Sequence, residues 1–195
     1  QYQLYPVTAS LNGQHEYDHL LNVPGPQMRA RELEYCRHFL DRLDQIDQYG
    51  LSVPLQFEYA KIHQQLEGRW KELNNSDQKA DASRYDPGLS IRSVLHADEL
   101  ELEDKLTRIS HRLARVPDYL AGAKEALRRD SIDRLDLALQ YQQRSFRLLD
   151  KELPDSLRLA ELHPDSANLL RNRLYKAQLA LKDFTGYCNS LRLSA

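Results

Sequence analysis

The chain has 195 residues, 41% apolar and 29% charged, with 7 Gly; this suits a helical domain with a sizeable core and argues against a disordered or membranous chain. A formal net charge of −2, from 27 basic and 29 acidic residues, sets up no field for nucleic acid or anionic lipid. No apolar run approaches the roughly 18 to 20 residues of a membrane span.

Leu dominates the apolar set, and Val and Ile are sparse, which favours helix over sheet. Residues 1–26 read as an irregular arm. Pro6, Gly13, Pro24, Gly25 and Pro26 leave room for only a short helix, around residues 14–21. A helix is predicted from Pro26 to about Asp47, with Leu33, Cys36, Leu40, Leu43 and Ile46 along one line and Gly50 as its end. Ser52 stands where it can cap the next helix, with Pro54 in the first turn. Leu55, Tyr59, Ile62, Leu66, Trp70 and Leu73 follow at helical steps, and the short connection makes the two helices an antiparallel pair. Residues 74–88 are a polar loop, and residues 89–96 a short helix.

Residues 98–153 are the stretch that the rest is expected to pack around. Asp98 with Glu101 resembles a capping box for a long helix whose apolar face is Leu102, Leu106, Ile109, Leu113, Val116, Leu120, Ala123 and Leu127. Acids crowd its start, while Arg108, Arg112, Arg115, Arg128 and Arg129 come later, as the helix dipole favours. Pro117 is predicted to kink it. After a turn near Asp130, Ser131 caps a return helix with Ile132, Leu135, Leu139, Phe146, Leu149 and Leu153, which Pro154 stops. A short turn at residues 156–162 leads to a last helix, opened by Pro164 and Asp165, carrying Leu170, Leu174, Ala177, Leu181 and Phe184, and ended by Gly186. The predicted fold is all-α, an antiparallel bundle of long helices with one kinked at Pro117, and it divides into an arm (1–26) and a helical domain (27–195).

The run His15-Glu16-Tyr17-Asp18-His19 satisfies H-E-x-x-H, the zinc peptidase spacing that puts two imidazoles one helical turn apart. Glu32 or Glu34 could supply a third ligand. The context speaks against a metal, because Gly13, Pro24 and Pro26 hem the run in, whereas a zinc helix is long and buried. A di-iron bundle needs two Glu-x-x-His pairs, and only Glu16 with His19 has that spacing, which speaks against one. Arg108, Arg112 and Arg115 share a helix face and could bind an anion, but a solvated face paired with neighbouring acids is the plainer reading. Glu34 and His38 read as a surface pair. Cys36 and Cys188 either pair or stay as two buried thiols. No catalytic, cofactor-binding or metal-ligating residue is assigned, and no cofactor is expected in this chain.

Ala9 to Leu21, with Gly13, Tyr17-Asp18 and Leu20-Leu21, is similar to the Gly-x-x-x-Tyr-Asp-x-x-Leu signature of a large bacterial family, the domain of unknown function 885. Leu40-Asp41-Arg42-Leu43-Asp44-Gln45-Ile46-Asp47, Leu51-Ser52 and Glu58-Tyr59 resemble that family's following run. Tyr85-Asp86-Pro87 stands near its Asn-Pro, and Leu113 to Leu120 with Ala123 and Leu127 resembles its R-L-x-x-I-P-x-Y-L-x-x-A-x-x-x-L segment, Pro117 included. Members look like zinc-dependent peptidases of long-helix fold. The working H-E-x-x-H of such proteins lies downstream of anything in this sequence, so no catalytic residue carries over. The resemblance implies a non-catalytic N-terminal helical domain that forms part of a substrate cleft and packs on a catalytic half, with zinc belonging to that half alone.

Two other readings stay open: an exported, stand-alone helical binding or sensor domain, and a small zinc protein using His15 and His19. The expected partner is a downstream catalytic domain or a peptide ligand, with no nucleic acid and no membrane span. The chain starts at Gln1 without Met, so it is read as processed or cut from something longer, with a removed export signal as one origin.

Overall fold

The computed structural model describes residues 3–75, 80–127 and 132–194. They form eight α-helices: α1 (Pro6–Leu11), α2 (Pro26–Leu43), α3 (Val53–Asn74), α4 (Pro87–Leu95), α5 (Leu102–Leu127), α6 (Leu135–Arg147), α7 (Leu153–Leu159) and α8 (Pro164–Ser194). Among the described residues the one extended pairing is a two-residue parallel bridge, Ala80–Asp81 with Ile132–Asp133. The protein is all-α, as its Leu-rich composition predicts. The expected turn at Asp130, the Ser131 cap and the basic pair Arg128 and Arg129 lie outside the described residues.

Contacts divide the described chain into two units, residues 25–75 and residues 3–24 with 80–194. The first is the α2–α3 hairpin. Arg29 Nε donates to the Leu73 carbonyl at 2.7 Å, Arg69 Nη2 meets Glu32 Oε2 at 2.8 Å, and His63 lies 3.5 Å from Asp44. Partners fall in number on α3 as they rise on α2, so the helices run antiparallel. α2 ends at Leu43, short of Gly50. Asp47 then closes a 3₁₀ turn at Gln48–Gly50 by accepting the Tyr49 N–H at 3.1 Å. Ser52 occupies the N-cap of α3 without a side-chain cap bond.

The second unit holds the main core. The face predicted for α5 is buried at Leu106, Ile109, Leu113, Val116, Leu120, Ala123 and Leu127. α5 packs mainly on α8 and α4, and α6 packs on α8 and α4. The face is thus covered by the last helix rather than by the return helix next to it in sequence. From α8 come Leu170, Leu174, Ala177, Leu181, Phe184 and Cys188. Each large apolar side chain buried in this way contributes about 1.5 to 3 kcal/mol.

Several helix boundaries differ from the predicted ones, each for a local reason. α5 starts at Leu102 instead of Asp98 and continues as one helix past Pro117. In the arm, the α-helix is residues 6–11, with Pro6 in its first turn; His15–Tyr17 form only a 3₁₀ turn. Pro154 does not stop the return helix. A π turn at Leu148–Glu152 links α6 to α7, and there the Leu153 N–H bonds to the Leu148 carbonyl. A carbonyl at 149 would next look to residue 154, which is proline and has no N–H. Gln178 Nε2 takes that place, donating to the Leu149 carbonyl at 3.1 Å and to Asp150 Oδ1 at 2.9 Å. Gly186 likewise fails to end α8, whose packing carries it on to Ser194.

Gly122 has a steric reason to be glycine. A Cβ there would stand 2.3 Å from the Pro24 carbonyl oxygen.

Candidate functional site

The arm is held by a buried polar cluster around Arg112, whose side chain, like that of Asp18, is fully buried. Arg112 Nη1 donates to the Ser90 carbonyl and to Ser93 Oγ at 3.0 Å. Nη2 donates to Ser10 Oγ at 2.7 Å and stands 3.7 Å from Asp18 Oδ1. Ser10 in turn donates to Asp18 Oδ1 at 2.5 Å. Arg112 Nε has no partner among the described residues. Burial pulls the guanidinium down to about 10, and the Asp18 charge opposes that shift.

This corrects the solvated-face reading of the arginines. Arg112 lies three residues after Ile109 and four before Val116, so helical spacing already puts it beside the apolar stripe. Arg108 is half-buried, donates to the His15 carbonyl and lies 3.9 Å from Asp18 Oδ2. Arg115 fits the solvated reading, exposed and 3.2 Å from Asp118. The acid that the cluster needs, Asp18, belongs to the Gly-x-x-x-Tyr-Asp signature, too far away in sequence for any local pattern to link the two.

His15 Nδ1 lies 2.8 Å from Asp18 Oδ2, and Nε2 lies 3.3 Å from Glu99 Oε2. Both ring nitrogens therefore face carboxylates. His19 is exposed, and the three-residue 3₁₀ turn does not give the one-turn α-helical stacking that H-E-x-x-H needs. Among the described residues no group of three or more His, Cys, Asp or Glu side chains makes a metal site. Glu32, named as a possible third ligand, is instead buried against Arg69, and Glu34 is exposed. Cys36 and Cys188 are free buried thiols.

Tyr85-Asp86-Pro87 forms a second polar node. Asp86 Oδ1 caps α4 by accepting the Gly88 N–H at 2.9 Å, and accepts Ser145 Oγ of α6 at 2.7 Å. Asp86 Oδ2 meets Arg92 at 3.1 Å. A Cβ on Gly88 would fall 2.2 Å from Ser145 Oγ. The motif is thus a cap and a helix-to-helix clamp.

The α2–α3 hairpin departs most from its sequence reading. Leu55, Ile62 and Trp70, three of the apolar positions at helical steps, are exposed. Its tip shows Ile46, Tyr49, Val53 and Phe57, with Tyr49 85% and Phe57 73% exposed. Helical periodicity marks a face without saying what covers it.

An all-α chain with a buried Arg–Asp cluster, an Asp-Pro helix clamp and an uncovered apolar hairpin is a helical scaffold with surface to offer. Residues 6–187 match the family model described as bacterial protein of unknown function, DUF885, and the chain belongs to that family. A solved chain from Shewanella oneidensis, described as a candidate lipoprotein of unknown function, superposes with a TM-score of 0.89 at 20% identity, over 97% of this chain and 35% of that one. The chain therefore spans about a third of that protein's length. No curated protein matches it.

Proposed function

We propose that this chain is the non-catalytic, helical N-terminal region of a longer metallopeptidase-like protein, forming one wall of a substrate cleft and packing on a catalytic half through the tip of the α2–α3 hairpin. The observation that carries the reading is the apolar tip, where Tyr49, Val53, Leu55 and Phe57 are all more than half exposed. Such a cluster marks a surface that another body covers. The Shewanella chain supports it, since there the same fold is a part of something longer. Its description also supports an exported location for this protein.

The test compares this chain with the native product that includes whatever follows Ala195. Covalent footprinting reads the reactivity of Tyr49 and Phe57, and peptide hydrolysis is measured with zinc supplied. The expected result is strong protection of both rings in the longer protein and hydrolysis by the longer protein alone. Equal reactivity in the two would overturn the packing role. Hydrolysis by this chain that His19→Ala abolishes would favour the small zinc protein instead.

A further inference from the structure

We infer that the body of the α2–α3 hairpin is a docking groove for a separate basic, apolar peptide. The inference stands apart from the catalytic-half reading, because it uses other residues of the hairpin and needs no second domain.

Two stripes form the groove. α2 contributes Leu33, Glu34, Arg37, Leu40, Asp41 and Asp44, and α3 contributes His63, Glu67, Trp70 and Asn74. On α3 those positions fall at steps of four, three and four, a single helical line. They enclose about 720 Å³, within the usual range of a ligand-sized cleft. Leu33, Leu40 and Trp70 make an apolar floor, and Trp70 keeps 39% of its surface exposed.

The rim decides the occupant. Four carboxylates line the groove against one guanidinium and one imidazole. Glu67 is held by Lys71 at 2.7 Å, and Asp44 stands 3.5 Å from His63. Glu34 and Asp41 are exposed, and neither has a cation within 4 Å among the described residues. A ligand with lysine or arginine beside apolar side chains would complement both floor and rim.

The same rim argues for a partner that comes and goes. Permanent interfaces are depleted of charge at their centre, because burying unpaired carboxylates is costly. Three apolar side chains among acids fit a wet, exchanging contact with a peptide better than a fixed seat for a second helix.

Trp70 is the chain's only tryptophan, so its emission reports directly on the groove. The experiment titrates this chain with a short peptide alternating lysine and leucine, and with its glutamate–leucine counterpart. The expected result is a saturable blue shift with the lysine peptide alone, weakened by added salt. Glu34→Lys with Asp41→Lys, both at exposed positions, should weaken binding by about tenfold or more, while Phe57→Ser at the tip leaves it unchanged. An equal response to both peptides, or undiminished binding by the charge-reversed variant with native circular dichroism, overturns the proposal. So does a concentration-dependent shift of Trp70 without peptide, which would mean a second copy fills the groove. Loss of labelled-peptide binding in the longer native protein also overturns it, since the chain's own sequence would then be the occupant.

Discussion

Asp18→Asn removes a charge while keeping the shape of the side chain, which makes it a sharp probe of the Arg112 cluster. Arg112 and Asp18 are both fully buried, and Asp18 is the carboxylate nearest the guanidinium, at 3.7 Å. Without it, Arg112 keeps only neutral partners: the Ser90 and Pro6 carbonyls and the Ser10 and Ser93 hydroxyls. Breaking a buried pair from one side costs about 3 to 5 kcal/mol, because the remaining charge stays desolvated. The lower end of that range applies here, since the four neutral groups still solvate the cation. About 3 kcal/mol is more than a hundredfold in the ratio of folded to unfolded chain. Urea titration followed by far-ultraviolet circular dichroism reads all the helices, most of them in this unit, and Trp70 fluorescence reports separately on the hairpin. Arg112→Met should cost a similar amount, and the double variant should cost about 1 to 3 kcal/mol less than the sum. The loss should persist in high salt, because a dry pair is poorly screened. A cost below about 1 kcal/mol for Asp18→Asn, or strict additivity in the double variant, would refute the reasoning.

Other outcomes follow from single contacts. Gly186→Ala should stabilise the protein by about 0.5 to 1 kcal/mol in the same titration, because the residue lies inside α8 and a Cβ there meets nothing within 4 Å. Gly88→Ala should destabilise it by about 1 to 3 kcal/mol, as the added carbon would meet Ser145 at 2.2 Å from Oγ and 3.0 Å from Cα. Gln178→Leu should cost about 1 to 3 kcal/mol by orphaning the Leu149 carbonyl at the π turn, and hydrogen exchange should quicken around residues 149–154. The buried Cys188 thiol is pushed up to about 11 from an ordinary 9.0, with Lys124 opposing the shift. Its folded pKa is raised, so the stability it contributes is present below pH 9 and is lost as the pH climbs toward 11. Stability in that window should fall less steeply in Cys188→Ala than in the parent.

The main core was largely legible in the sequence. The α5 stripe from Leu106 to Leu127 and the α8 stripe from Leu170 to Phe184 are buried as their spacing predicts. Breakers misled where packing outweighed them. Pro154 is absorbed by a π turn that borrows Gln178, and Gly186 is carried by the long contact of α8 with α5. Arg112 could have been flagged from its place beside the apolar stripe, but its partner Asp18 could not, since only the folded chain brings them together. The groove escaped notice because the periodicity of Leu33, Leu40 and Trp70 is what a buried face also shows.

The Arg112 cluster also bears on how the chain assembles as it is made. Ser10 and Arg112 are 102 residues apart, and His15 and Arg108 are 93 apart. The arm leaves the ribosome before the rest of its unit, yet its seat on α4 and α5 exists only after about a hundred further residues have emerged. Until then Asp18 faces water, which suits a carboxylate and gives the early arm no reason to collapse onto the wrong neighbour. Closing so long a loop is slow, so the arm should dock only after α4 and α5 have met, fastening a pair that has already formed.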